Sequence, residues 1–287
     1  MKSGVLVLQD YLSLAKPRVI LLHLITATTA MFLAARGMPA GSTLLFTLLG
    51  GGLVAAGANA LNCYLDRDLD KNMPRTRERP LPAGRLAPSH ALIFGLACAA
   101  LGLFLLAWMI NWVTAALALA ALAFYVLVYT LWLKRRTYMS SILSSGVGAM
   151  PPLIGWVAVT GRLEVTPWLL FGVIALWTPP HFWALASMRR DEYERAGLTV
   201  LPRERPVLWI SVFAVLLLLL TIVLAGVARM GYFYAVPAAI LGSGFIYLSL
   251  RLQPQAGSQP ARRLYLYSIF YLVALFALML LDCTTLT

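Results

Sequence analysis

The sequence is poor in acidic residues and in charge of either sign. Only 11 of its 287 residues are Asp or Glu, and charged residues make up 12%, against roughly 25% in soluble domains. Hydrophobic residues account for 61%, and the mean hydropathy is +0.81. A water-soluble fold cannot bury so large an apolar fraction, so a soluble globular protein is excluded.

Cysteine and histidine are also scarce, with three of each. Cys63, Cys98 and Cys283 lie in or beside apolar segments without the spacing of metal ligands, which favours a packing role. The first 15 residues lack both the pattern of a cleaved signal peptide and an Arg-rich presequence. We therefore expect them to lie at a membrane interface, and we expect the membrane to be bacterial.

Long apolar runs are abundant. Each is about 20 residues long, which is enough to cross a hydrocarbon core of roughly 30 Å as a helix. We count nine predicted spans: 17–35, 42–65, 89–110, 113–132, 140–158, 165–187, 207–227, 231–250 and 264–282. The expected fold class is all-α, and we expect residues 1–287 to form a single polytopic membrane domain.

The basic residues are distributed as expected for a membrane topology. The net charge is +12, yet of the 23 Lys and Arg residues only Arg36, Arg162 and Arg229 lie outside the N-terminus and the even-numbered connections. By the positive-inside rule, the N-terminus and these connections are cytoplasmic and the C-terminus is outside. The charge therefore indicates a lipid bilayer as partner and no nucleic acid.

Two sequence features predict a cavity inside the bundle. The second span is rich in small residues between Gly50 and Ala60, as in helices that approach their neighbours closely. Pro151-Pro152 and Pro179-Pro180 should bend the fifth and sixth spans and free backbone carbonyl groups. Such breaks are tolerated where protein or a water-filled cavity lines them; the alternative is that both pairs are simple packing kinks.

The most informative segment follows the second span. Asn62, Asp66 and Asp70 are four residues apart, so on a helix they form one face at its cytoplasmic end. Two neighbouring carboxylates repel each other unless a cation binds between them, and Mg²⁺ completed by phosphate oxygens suits such a site. Basic residues that could bind the remaining phosphate charge follow directly: Lys71, Arg75, Arg77 and Arg79. The alternative is a solvated charged loop.

A second acidic segment follows the sixth span and contains Asp191, Glu192 and Glu194. If it faces the first across a cavity, the two could bind two Mg²⁺ ions bridged by one diphosphate; the alternative is an amphipathic surface helix. His23 and His181 both lie about 10 Å from the cytoplasmic ends of their spans. Either could ligate a haem iron or take a proton, or be a hydrogen-bonded core residue.

The end of the fourth span combines aromatic and basic residues. Lys134 or Arg135 could bind a phosphate or a propionate, and the face of Tyr129 could stabilise a cationic intermediate. The alternative is an aromatic belt with the usual cytoplasmic positive charge.

Together these residues resemble the UbiA superfamily of intramembrane prenyltransferases over nearly the whole chain. Within the superfamily, four segments resemble the branch that farnesylates haem: 62–80, 129–135, 147–161 and 177–186. The last two are the most specific. The chain departs from quinone-type members in its second acidic segment, which lacks two aspartates four residues apart. It also offers only serines where members often have an asparagine after the fourth span.

The resemblance implies nine helices around a central cavity, Mg²⁺, farnesyl diphosphate and haem B. It carries Asn62, Asp66 and Asp70 over as metal ligands of the first motif; for the second motif Glu192 is our first choice and Asp191 the next. It further implies that a farnesyl cation is attacked by a haem vinyl group and that water quenches the product. It also points to a haem A synthase-type partner.

Two other functions remain open from the sequence. One is prenylation of an aromatic quinone precursor within the same fold. The other is cation-coupled transport, since acidic residues and broken helices also suit alternating access. Transport favours acids near the membrane midplane, whereas these acids lie at the rim beside arginines.

Overall fold

The computed structural model describes residues 4–72, 74, 76–132, 140–191, 201–202, 205–253 and 258–285. Within them the chain is helical. Its helices are α1 (Gly4–Ala15), α2 (Pro17–Ala35), α3 (Gly41–Lys71), α4 (Pro88–Met109), α5 (Trp112–Ala123), α6 (Ser140–Gly148), α7 (Met150–Thr160), α8 (Val165–Met188), α9 (Pro206–Val227), α10 (Tyr232–Leu250) and α11 (Gln259–Thr285). A π-helical segment, Phe124–Thr130, continues α5.

Eight helices in the described part of the chain are long and apolar enough to span a membrane, with α5 and the π-helical segment forming one of them. They correspond to eight of the nine predicted spans. The fifth predicted span, 140–158, consists of two short helices, α6 and α7, on either side of Ala149. Pro151 and Pro152 lie in the first turn of α7, where the missing N–H group of proline leaves no helical hydrogen bond unmade, so the pair favours a helix start at this point.

The second proline pair behaves differently. Pro179 and Pro180 lie inside α8, which is helical from Val165 to Met188. The adjacent Thr178 hydroxyl donates to the carbonyl of Ile174 at 2.7 Å, within the same helix. The proline pair therefore does not divide the sixth span into two helices, and the predicted bend at this position stays a prediction.

Close packing of α3 against α4 explains the small residues of the second span. A Cβ atom on Gly57 would lie 2.6 Å from the carbonyl oxygen of Gly95, and one on Gly102 would lie 2.6 Å from that of Gly50. Neither distance is possible for a real side chain, so glycine is required at this crossing. The contact fixes the position of α3, whose C-terminal half is buried.

The helices form two groups that meet along α2 and α7. One group contains α1 to α5, and the other contains α6 and α8 to α11. The second group has the larger apolar core, in which Trp183, Tyr234, Phe245 and Tyr271 are fully buried. α2 contacts α7 and α11, and α7 contacts α5 and α8, so these two helices join the groups.

Candidate active site

The three residues of the first acidic motif lie together on the buried face of α3. Asn62, Asp66 and Asp70 are 3%, 1% and 2% exposed, although they occupy the last three turns of the helix. Burying two carboxylates is costly unless cations or hydrogen-bond donors surround them. All three side chains lie on one buried face of α3, as their spacing of four residues predicted. Their burial means that cations or donors must be found around them.

Lys16 supplies one of the donors. It lies between α1 and α2 and has a left-handed backbone conformation (φ 55°). This conformation is unfavourable for residues other than glycine. Its Nζ donates to Oδ1 of Asn62 at 2.9 Å. The strained break thus directs an ammonium group at the acidic motif.

The π-helical segment holds the other side of the Asn62 amide. Nδ2 of Asn62 donates to Oδ2 of Asp66 at 2.8 Å and to the Thr130 hydroxyl at 3.1 Å. The Thr130 hydroxyl itself donates to the carbonyl of Tyr125 at 2.8 Å. Both ends of the amide are therefore fixed, and the orientation of Asp66 is fixed with them.

Asp70 is held by the segment that follows α3. Nη1 of Arg79 donates to Oδ2 of Asp70 at 2.7 Å, and the Thr76 hydroxyl donates to the Asp70 carbonyl at 3.0 Å. Lys71, in contrast, is exposed and pairs with Asp68 at 3.1 Å. Of these two predicted phosphate-binding residues, Arg79 therefore contacts the acidic motif and Lys71 does not.

An apolar cavity of about 300 Å³ lies below the motif, between α2, α3, α5 and α7. Asn59, Tyr125 and Tyr129 line it at the end nearer to the motif. The two tyrosine rings are stacked, with centroids 5.7 Å apart. The remaining walls come mainly from small and aliphatic side chains. We call this the central cavity; it can hold a flexible hydrocarbon chain whose polar end reaches the acids.

The two histidines occupy different places. His23 lines the central cavity. His181 lies between α8 and α11, where its ring stacks on Trp177 and Tyr265 with centroids 4.3 and 4.9 Å away. Its Nδ1 is 2.7 Å from the Ser268 hydroxyl. The structure therefore does not place the two imidazoles against the same cavity.

The contacts of Ser268 favour one tautomer of His181. The Ser268 hydroxyl lies 2.6 Å from the carbonyl oxygen of Tyr265, to which it can donate its single proton. Both contacts of Ser268 are satisfied when Nδ1 of His181 carries the proton and donates to the hydroxyl oxygen. Nε2 is left with its lone pair, which is the arrangement found in histidines that ligate metals or accept protons.

Comparison with known proteins shows the family. The profile of the UbiA prenyltransferase family matches residues 23–280. The chain belongs to this family. It is 44% identical to a protein named protoheme IX farnesyltransferase from Synechocystis sp., over 98% of this chain and 91% of the relative. A protein of the same name from Symbiobacterium thermophilum is 45% identical, over 97% and 95%. Two longer Roseiflexus relatives of that name are matched over 52% of their length.

Solved structures agree with the UbiA fold. A structure of digeranylgeranylglyceryl phosphate synthase superposes with a TM-score of 0.82 at 19% identity, covering 96% of this chain and 98% of that one. A UbiA homologue from Archaeoglobus fulgidus, bound to GPP and Mg²⁺, gives a TM-score of 0.69 at 16% identity, covering 94% and 99%. The expected fold and family are thus confirmed, and the chain is a transferase.

The donor set of the UbiA chain fits Mg²⁺. Asp66 and Asp70 offer hard carboxylate oxygens at the end of one helix, and Mg²⁺ is commonly bound by one or two carboxylates together with substrate phosphates. Within the described ranges no group of three or more His, Cys, Asp and Glu residues is arranged around a common point. The remaining ligands must therefore come from the substrate, from water or from residues beyond those ranges.

Several predicted site residues cannot be placed. Arg75, Lys134, Arg135 and Glu192 lie outside the described residues. Asp191 is described and is exposed at the end of α8, where it belongs to no such group of possible ligands. The second acidic segment therefore stays a prediction.

Two residues of the site were not identified from the sequence as functional. In the sequence Lys16 is one of the basic residues at the N-terminus, and Thr130 lies in the segment 129–135 without a role of its own. Each is distant in sequence from Asn62, by 46 and 68 residues. The only available signal was that Lys16 precedes a proline at the start of a span.

We expect Lys16→Gln to weaken binding of the prenyl diphosphate, with a KM about tenfold higher. The reason is that one charged hydrogen bond, worth roughly 1.5–3 kcal/mol, is lost beside the phosphate-binding motif. Steady-state kinetics with varied prenyl diphosphate measure this. Arg18→Gln is the matched control, because Arg18 is exposed two residues away. Equal KM values in the two variants would contradict the assignment of Lys16.

Proposed function

We propose that this chain transfers the farnesyl group of farnesyl diphosphate to a vinyl group of haem B, with addition of water, giving haem O. The observation that carries the proposal is the buried Asn62–Asp66–Asp70 face of α3, which begins about one helical turn beyond Asn59 in the wall of an apolar cavity. Relatives named protoheme IX farnesyltransferase, 44–45% identical over nearly the whole chain, support the choice of substrates.

The diphosphate binds at the end of α3 in this proposal. Mg²⁺, held by Asp66 and Asp70 with Asn62 beside them, neutralises the leaving group as a Lewis acid. Lys16 and Arg79 add two positive charges that already contact the motif, at 2.9 Å from Asn62 and 2.7 Å from Asp70. Arg75, Lys134 and Arg135 are assigned to the same diphosphate site because of their charge and position in the sequence, and Glu192 is assigned to it on the family resemblance.

The farnesyl chain extends into the central cavity. Because the cavity walls are largely apolar, water is excluded while the allylic C–O bond breaks, and the carbocation is protected from hydrolysis. Tyr125 and Tyr129 present their stacked rings close to the motif. An aromatic face stabilises a nearby cation by about 0.5–2 kcal/mol. These residues therefore hold and shield the reactive carbon.

The acceptor is a haem vinyl group. Its terminal carbon attacks C1 of the farnesyl cation, which forms the new C–C bond and leaves a cation on the carbon next to the macrocycle. Water adds there and loses a proton, so the products are a hydroxyethylfarnesyl side chain and diphosphate. We assign orientation of the haem to His181, since the bond from Nδ1 to Ser268 leaves Nε2 as a ligand atom.

We expect His181→Ala to weaken haem binding and to shift the haem absorption spectrum, and we expect a smaller effect from His23→Ala. The reason is that His23 lines the cavity assigned to the prenyl chain, whereas His181 offers an oriented Nε2. Haem titration followed by absorption spectroscopy measures this. An unchanged spectrum and unchanged turnover in His181→Ala would make this histidine a packing residue.

The two other candidate functions differ in measurable ways. A quinone-precursor prenyltransferase needs the same diphosphate site but a single-ring acceptor. A cation-coupled transporter needs acids along a path through the membrane, whereas Asp66 and Asp70 lie in the last turns of α3, and Asp70 pairs with Arg79. The acceptor is therefore the point to test.

Overproduction in a bacterium that makes haem B but lacks a haem A synthase is the decisive experiment. We expect extracted haem to gain the mass of one farnesyl group and one water, as detected by liquid chromatography and mass spectrometry. A strain carrying Asp66→Asn is the control. Unchanged haem B together with a prenylated benzoate or naphthoate would establish the quinone alternative; no change in either pool with folded protein would favour transport.

We further propose the bacterial inner membrane, with the N-terminus and the acidic segments cytoplasmic and the C-terminus outside. The charge distribution supports this orientation. Exposed aromatic residues mark the opposite end of the bundle: Trp108, Trp112, Tyr232 and Phe233 are 75–88% exposed where α4 ends and where α5 and α10 begin. A single domain spanning 1–287 and a haem A synthase-type partner complete the proposal.

A further inference from the structure

A second cavity lies at the end of the bundle opposite the acidic motif. Its volume is about 540 Å³, and we call it the outer cavity. It is lined where α2, α7 and α9 end and where α8 begins, and also by Asp282 and Cys283 near the end of α11. Because the 19 residues of α2 separate Lys16 from Arg36, the arginine end of the outer cavity lies about 28 Å along the helix from the end that holds the acidic motif. The outer cavity therefore plays no part in the diphosphate site.

Two arginines line the outer cavity and have no described partner. No ion pair or side-chain hydrogen bond joins Arg36 or Arg229 to another residue within the described ranges. Both residues have a left-handed backbone conformation, with φ of 51° and 55°. They are two of the three basic residues that the sequence places on this side. Two arginines that line one cavity offer guanidinium groups suited to a phosphate group.

The same cavity also contains acidic groups. Asp282 is buried, and its two carboxylate oxygens accept from the backbone N–H of Gly231 at 3.1 and 2.9 Å, at the start of α10. The Asp282 carboxylate therefore accepts hydrogen bonds at the N-terminal end of α10. Glu164 is exposed, and no side chain in the described part of the chain forms an ion pair with it. A ligand that carries a positive charge next to its phosphate would satisfy Glu164.

Trp156 provides an independent indication of a ligand. Its side chain lines the outer cavity and is 8% exposed. The indole Nε1 is buried and has no hydrogen-bond acceptor among the described residues. A buried donor without an acceptor costs roughly 1–3 kcal/mol, and a rotation of the indole that turned Nε1 towards the cavity would let an acceptor oxygen bound there recover that energy.

We propose that the outer cavity binds the headgroup of a phospholipid that carries a phosphodiester and a primary ammonium group, such as phosphatidylethanolamine. Arg36 and Arg229 bind the phosphate, Glu164 binds the ammonium, and Trp156 donates to a phosphate or ester oxygen. Leu33, Ala34, Val227 and Ala228 form apolar walls for the first part of the acyl chains. The site lies at the level of the exposed aromatic residues, where headgroups are found.

The test uses full-length protein in detergent and native mass spectrometry with lipids of identical acyl chains. We expect phosphatidylethanolamine to bind more tightly than phosphatidylglycerol. Arg36→Gln combined with Arg229→Gln should weaken phosphatidylethanolamine binding about tenfold or more, because two charged hydrogen-bond donors are lost. Arg162→Gln is the matched control, since Arg162 is exposed on the same side and does not line the cavity.

A second variant tests the ammonium partner separately. Glu164→Gln should bring the two lipids to equal affinity without lowering that of phosphatidylglycerol. Retained prenyl transfer shows that each variant is folded, as the reaction site is distant. Equal binding of both lipids to the unmodified protein, an unaffected double arginine variant, or full competition by inorganic phosphate would each overturn the proposal.

Discussion

Asp66→Asn is expected to lower the rate of prenyl transfer by about a thousandfold while the protein stays folded. A metal ion contributes several kcal/mol to stabilising the leaving group, and each 1.36 kcal/mol corresponds to a factor of about ten in rate. Asparagine has the same shape as aspartate but no charge, so the hydrogen bond from Asn62 can be kept while the cation is lost. Product formation from farnesyl diphosphate and haem B, with circular dichroism as a check on folding, measures this.

Asp68→Asn is the matched control for this experiment. Asp68 lies between the two motif residues on the same helix but is exposed, and it pairs with Lys71. We expect near-normal activity in Asp68→Asn and a loss in Asp70→Asn as large as that in Asp66→Asn. Comparable activity in all three variants would remove the metal assignment. A loss in Asp68→Asn as well would indicate a general effect of charge at this end of α3.

Gly51→Leu is expected to change which prenyl chain the protein accepts. Gly51 lines the central cavity, and a Cβ atom built there meets no atom within 4 Å. Because Gly51 is eleven residues before Asn62 on one helix, it lies about 16 Å from the diphosphate site. A leucine side chain would therefore occupy the space assigned to the last isoprene unit of a farnesyl chain.

The expected effect is a fall in kcat/KM for farnesyl diphosphate relative to geranyl diphosphate on the order of 10- to 200-fold, the range typical of steric discrimination in an apolar pocket. Gly51→Ala should give an intermediate ratio. Gly226→Leu is the control, because a Cβ there also meets nothing within 4 Å and Gly226 does not line this cavity. An unchanged ratio in Gly51→Leu with active enzyme would place the prenyl chain elsewhere.

Features that depend on local sequence could be predicted. The apolar runs gave the spans, because a bilayer requires about 20 apolar residues in a helix whatever the rest of the fold does. The spacing of Asn62, Asp66 and Asp70 placed them on one face for the same reason, since the periodicity of a helix is fixed. The position of Arg79 near these acids also followed from its closeness in the chain.

Features that depend on contacts between distant segments could not be predicted. Lys16 and Thr130 reach Asn62 only because α2 and the π-helical segment pack beside α3. His181 and Ser268 are 87 residues apart, so no local pattern indicates their hydrogen bond. The two proline pairs look alike in the sequence, yet one separates two helices and the other lies within one; the surrounding packing decides the difference.

The π-helical segment has a consequence for how this region can change in evolution. In an α-helix, residues five positions apart lie about 140° apart around the axis, so Thr130 would point away from the side on which Tyr125 lies. The wider turn of a π-helix brings the fifth residue after Tyr125, which is Thr130, back to the same side of the helix. The tyrosine pair can therefore line the cavity while Thr130 reaches Asn62. Converting this segment to an α-helix of the same length would turn Thr130 about 140° away from Tyr125 and separate these two functions. Substitutions that favour α-helical over π-helical geometry here should therefore be tolerated far less well than conservative substitutions of its lipid-facing residues.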